Sequence, residues 1–124
     1  MRAFAVPAAV VALAIAAPAA LAGEADVVAV TVTAEEGGTY RFDVTVRHAD
    51  EGWDHYANRW DVVGDDGTVY GSRVLLHPHV GEQPFTRSQS GIAIPEGVLE
   101  VTVRANDLVH GLGGAEKKVR LPDR

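Results

Sequence analysis

Tyr40-Arg41-Phe42-Asp43-Val44-Thr45-Val46-Arg47 is the stretch that decides the fold. Large apolar side chains occupy the even positions and polar ones the odd, the two-residue period of a strand with one buried and one wet face. A helix would scatter Tyr40, Phe42, Val44 and Val46 around its circumference. Upstream, Val28, Val30 and Val32 alternate with Ala29, Thr31 and Thr33, and Glu35-Glu36-Gly37-Gly38 supplies a hairpin turn between the two runs. Downstream, strand signals recur at residues 58–63 around Trp60, then at 68–76, 85–94, 98–104 and 115–121. Gly64-Asp65-Asp66-Gly67 and Pro95-Glu96-Gly97 are turns, and Gly91 gives the run 85–94 the character of an edge strand. The spacing predicts one all-β domain, a seven-strand antiparallel sandwich.

Pro95-Glu96-Gly97 followed by the alternating run to Asn106-Asp107 resembles the E–F corner and sixth strand of small exported bacterial immunoglobulin-like and fibronectin type III-like β-sandwich domains. Trp60 stands where such domains place a core tryptophan on their third strand. The resemblance covers most of the chain after residue 22 and is architectural. Two departures are visible: no disulfide can form, and no tyrosine opens the sixth strand. It implies strands alternating in direction, so that the loops around residues 48–56, 77–84 and 105–114 emerge together at one end, and it implies no particular activity.

Met1-Arg2 followed by an apolar run over residues 3–17 and then Ala20-Leu21-Ala22 has the form of a signal peptide cleaved after Ala22. The apolar run is shorter than the roughly 20 residues that span a bilayer. The expected product is therefore a domain of residues 23–124, periplasmic or secreted, with no cysteine for a lipid anchor and no membrane anchor. Seventeen acidic against eleven basic side chains give a formal charge of −6, which argues against nucleic acid or anionic membrane as partner. There is no cysteine, and the single methionine is Met1, so residues 23–124 offer no sulfur ligand.

All five histidines fall in the three loops expected at one end: His48 and His55, His77 and His79, and His110. Imidazole is the commonest transition-metal ligand, and nitrogen with carboxylate oxygen suits Cu(II) or Zn(II). His77-Pro78-His79 leads the expected set, because residues i and i+2 of an extended chain face one side and proline stiffens the pair. His48, His55 and His110 would complete it, with Asp50, Asp54 or Asp107 as oxygen ligands or as acceptors behind the imidazoles. The alternative partner is an exported protein or glycan gripped by the same loops through Trp53, Tyr56 and Phe85. Ser88 and Ser90 lack a nucleophile-elbow setting and no phosphate-binding glycine loop is present, so a non-catalytic binding protein is expected. Arg73, Arg87 and Arg104 are expected to pair with carboxylates on the sheet faces.

Overall fold

In the computed structural model, which describes residues 23–124, seven strands form two antiparallel sheets. The leader expected over residues 1–22 lies outside the described residues. The strands are β1 (Asp26–Ala34), β2 (Thr39–Arg47), β3 (Ala57–Val63), β4 (Val69–Val74), β5 (Phe85–Ala93), β6 (Glu100–Asp107) and β7 (Lys117–Arg120). One sheet runs β1-β2-β5 and the other β4-β3-β6-β7. This all-β sandwich matches the sequence expectation and is compatible with an immunoglobulin-like architecture.

The core lies between the sheets. From β2 come Tyr40, Phe42, Val44 and Val46, all buried, facing Trp60 and Val62 of β3 and Val101, Val103 and Ala105 of β6. Trp60, on a central strand of the larger sheet, is fully enclosed, as its place on the third strand suggests.

Two irregularities shift the inward face. In β1 the pairing slips between Val27 and Ala29, so Val27 and then Val30, Val32 and Ala34 turn toward the core while Val28 becomes the extra residue. The simple alternation of Val28 with Val30 and Val32 therefore breaks at its first member, because a bulge moves every later side chain to the other face. In β5, an edge strand as Gly91 suggests, the register slips opposite Tyr40–Phe42, and Gly91 takes a φ of +73° that a β-branched residue would resist.

On the outer face of the larger sheet, Asp61 is buried among Ser72 (2.7 Å), Arg59 (3.0 Å) and Arg104 (3.1 Å), all donating to its carboxylate. The pairing expected of Arg104 is present. Arg87 reaches Glu82 only at 3.8 Å, and Arg73 instead donates to the main-chain carbonyls of Ser88 and Val74.

Because the strands alternate in direction, the β2–β3, β4–β5 and β6–β7 loops emerge at one pole. Hydrogen bonds tie them there: the His79 amide donates to Asp50 (2.7 Å), the His48 amide to Gln83 (3.0 Å), and the Leu108 amide to the Tyr56 carbonyl (3.2 Å).

Truncating the central tryptophan leaves a cavity that the flanking strands cannot close. Trp60→Ala should cost about 3–5 kcal/mol in denaturant unfolding, whereas Val74→Thr, on an exposed strand position, should stay within about 0.5 kcal/mol.

Candidate metal centre

The even-numbered row of β2 does not stop at its last core valine. Val44 and Val46 are followed on the same face by His48 and Asp50, both buried. The odd-numbered row of β6 likewise runs Val101, Val103, Ala105 and then Asp107, which is 1 % exposed. His55 lies two residues before buried Ala57 at the start of β3. The core is thus capped at this pole by imidazoles and carboxylates.

Asp107 is the hub. Its Oδ1 accepts from the amides of Val109 (2.8 Å) and His110 (2.5 Å), inside a turn closed by paired main-chain bonds between Asp107 and Gly111. Gly111 has a φ of +71°, which suits a residue without Cβ. Its Oδ2 is left facing three histidines: His48 Nε2 at 3.0 Å, His110 Nδ1 at 3.2 Å and His55 Nε2 at 3.6 Å. His48 Nε2 is also 3.0 Å from the Gly23 carbonyl. The rings of His48 and His55 are 4.8 Å apart, and those of His55 and His110 5.0 Å.

Behind this set stand two more carboxylates. Asp50 Oδ1 meets His48 Nδ1 at 2.6 Å and accepts from the Ala57 amide, while Glu51 meets His55 Nδ1 at 2.7 Å. A carboxylate on Nδ1 fixes the tautomer and aims Nε2 forward, the arrangement found behind metal-bound histidines.

His48 is enclosed between two acids. Burial by itself would lower its pKa, but the hydrogen bond and charge of Asp50 and the charge of Asp107 outweigh it, and the imidazole is held above its ordinary value. Burial would raise both acids, yet both are lowered: Asp50 by His48 and the amides of His79 and Ala57, Asp107 by the amide and ring of His110, the Val109 amide and the charge of His48. The surroundings thus favour the protonated ring of His48 and the ionised forms of Asp50 and Asp107.

His55 is different. Its Nδ1 lies 2.7 Å from Glu51, while its Nε2 is buried and has no hydrogen-bond partner. That nitrogen faces the Asp107 Oδ2 at 3.6 Å, beyond hydrogen-bond distance. A polar atom buried without a partner beside a carboxylate is a place for a further ligand.

His48, His55 and Asp107 each bring one donor atom, and these lie within 4.8 Å of one another. His77 and His79, expected to lead the set, stand outside this group, as does His110. The rings of His77 and His79 are 4.7 Å apart, and His79 stacks on Phe85 at 3.9 Å. The His79 Nε2 accepts from Arg87 (2.9 Å). Burial, with the charges of Arg87 and His77, lowers the His79 pKa. Its Nδ1 is buried without a partner. Asp54 is exposed in the β2–β3 loop. Phe85 is a buried core residue, whereas Trp53 is 65 % exposed and packs edge-on against Tyr56.

Sequence reasoning named His48, His55, His110, Asp50 and Asp107 and set Glu51 with Asp50 and Asp54 among the oxygen donors between His48 and His55, but gave the Gly23 carbonyl no part in the site. The continuing alternation through His48 and Asp50 was the available signal for the buried pair. The carbonyl of Gly23, a main-chain atom, leaves no trace in residue type.

No family model matches the chain, and no solved structure matches it. A protein of Halomicrobium mukohataei named "Putative lipoprotein" is 46 % identical over 91 residues, which cover 73 % of this chain and 44 % of that protein. The chain thus spans less than half the length of this relative.

The raised His48 pKa contributes stability that is complete below the usual imidazole value of 6.5 and is lost as pH rises through the folded value. The lowered Asp50 and Asp107 contribute stability that is complete above 3.8 and is lost as pH falls through their folded values. The lowered His79 pKa works against His48: its contribution is complete above 6.5 and is lost as pH falls through its folded value. With chelator present, the melting temperature should fall in acid below about pH 4, and above about pH 6.5 it should fall as His48 loses its proton. His48→Gln should abolish the decline on the alkaline side, as scanning calorimetry from acid to alkaline buffer will show.

Proposed function

We propose that this protein is a small exported, non-catalytic binding protein that holds one divalent first-row cation, Zn2+ or Cu2+, at the pole where the three loops meet. The ligands are His48 Nε2, His55 Nε2, His110 Nδ1 and Asp107 Oδ2, with Asp50 and Glu51 orienting the first two rings. The observation that carries this reading is the buried, unpartnered His55 Nε2 facing the Asp107 carboxylate.

The spacing supports it. Zinc–nitrogen bonds near 2.0–2.1 Å in tetrahedral array put neighbouring donors about 3.3 Å apart. His48 Nε2 and His55 Nε2 stand 3.0 and 3.6 Å from Asp107 Oδ2, and one donor atom from each of these three residues lies within 4.8 Å of the others. His110 Nδ1, 3.2 Å from Asp107 Oδ2, stands outside that set and joins it by turning its exposed ring. Binding displaces the proton on His48 Nε2, and the dication then answers the two carboxylates that imidazolium alone leaves undercompensated. The ligand set holds no thiolate or thioether, which favours the divalent ions over Cu(I). Export rests on the leader-like first 22 residues and on the relative whose name marks it as a lipoprotein. No cysteine occurs in these 124 residues, so a thioether lipid cannot be attached to any of them.

A second reading has its own observation. Trp53 is exposed beside Tyr56, and Leu108 and Val109 of the neighbouring β6–β7 loop are 48 % and 59 % exposed. An aromatic and aliphatic rim of this kind suits an exported protein or a glycan, either of which could use the same pole.

Calorimetric titration with zinc and with copper should give one site per chain. At a hundredfold excess over Kd the ion should add about 2.7 kcal/mol, a rise in melting temperature on the order of 10–20 °C. His55→Ala should remove most of the affinity and His77→Ala little of it. A domain whose melting point neither metal moves would leave only the second reading.

A further inference from the structure

One nitrogen of the cluster has an unexpected neighbour. His48 Nε2 lies 3.0 Å from Asp107 Oδ2 and 3.0 Å from the carbonyl oxygen of Gly23. Since Nδ1 is engaged with Asp50, the proton on Nε2 is shared between those two oxygens. A cation that replaces this proton meets the same three atoms, so the Gly23 carbonyl belongs to its surroundings as fully as the carboxylate does.

The position of Gly23 is fixed from the residues that follow. Ala25 is fully buried, the Val27 amide donates to the Ala115 carbonyl (2.8 Å), and Asp26 accepts from the Ala115 amide (2.7 Å). The start of β1 is therefore tied to the β6–β7 loop, the loop that also carries His110. Gly23 also directly follows Ala20-Leu21-Ala22, the small-residue pattern of a leader cleavage site. Hydrolysis of the Ala22–Gly23 bond by an export-linked peptidase adds one water, leaving a carboxylate on Ala22 and a free α-amino group on Gly23.

The amine and carbonyl oxygen of one residue are joined through only two carbons, so together they close a five-membered ring on a metal ion. An amide nitrogen in the uncut chain has no comparable lone pair to offer. Glycine, lacking Cβ, brings no side chain to the space beside the two donors.

We propose that the main chain of Gly23 completes the cation site, its carbonyl oxygen and its freed α-amino nitrogen chelating the ion held by the histidines and Asp107. Removal of the leader is then the step that assembles the full ligand set, and the uncut chain holds the ion more weakly. This inference rests on the metal-binding reading above.

The test compares chains that differ by one residue at the start, one beginning at Gly23 and one at Ala22. Both contain all seven strands and the whole described core, and their melting curves without metal should coincide. Titrated with Zn2+ or Cu2+ alone, the Gly23 chain should bind on the order of tenfold to a hundredfold more tightly. Its copper complex should show one more coordinated nitrogen by electron paramagnetic resonance. Equal affinities and identical copper spectra, with His55→Ala weakening both chains, would overturn the role of Gly23 and leave the histidine site standing. Failure of both chains to bind would remove the metal reading, and this inference with it. Mass spectrometry of the exported protein should find Gly23 first; any other first residue also overturns the proposal.

Discussion

The imidazole of His48, enclosed between the carboxylates of Asp50 and Asp107, is the contact on which this pole of the molecule depends. Asp50 also accepts from the amides of Ala57 and His79, and Asp107 from those of Val109 and His110. One buried ring therefore joins the β2–β3, β4–β5 and β6–β7 loops through two acids. Buried charge is tolerated where every partner is present and becomes costly when one is removed. The three loops thus hold their positions together, and the geometry of any one histidine depends on the other two loops.

The same packing explains why the polar cluster sits where it does. Inward rows on β2 and β6 bring valines and alanine through the centre of the sandwich and end in His48, Asp50 and Asp107. The cluster is continuous with the apolar core, so its side chains inherit the fixed rotamers and low solvent access of close-packed neighbours. A polar cluster seated at strand ends in this way is better pre-organised than one carried on free loops.

The fold was largely legible in the chain because its main signals are local. Alternation at 40–47, the turns at 35–38, 64–67 and 95–97, and the absence of helical period all survive in the structure, and Trp60 lies in the core as placed. What escaped was non-local. The slip at Val27–Ala29 arises from pairing with β2 and cannot be seen in β1 alone. The convergence of His48, His55 and His110 followed from strand direction, whereas their centring on Asp107 depends on a five-residue turn ending at Gly111. His77-Pro78-His79 looked the stronger pair by spacing, but the stacking of His79 on Phe85 and the nearby Arg87 guanidinium draw its ring into a different neighbourhood. Arg104 was expected to meet a carboxylate, but its partner Asp61, shared with Arg59 and Ser72, escaped because the members come from three strands.

The edge strand β5 has a consequence for behaviour at high concentration. Its run Thr86-Arg87-Ser88-Gln89-Ser90 is polar, Arg73 occupies the Ser88 carbonyl, and the irregularity at Gly91 interrupts the row of main-chain groups. A flat, greasy margin would recruit another chain by ladder extension, the first move of fibrillar assembly. This margin offers an incoming strand neither apolar gain nor unbroken register, so templated growth is disfavoured along β5.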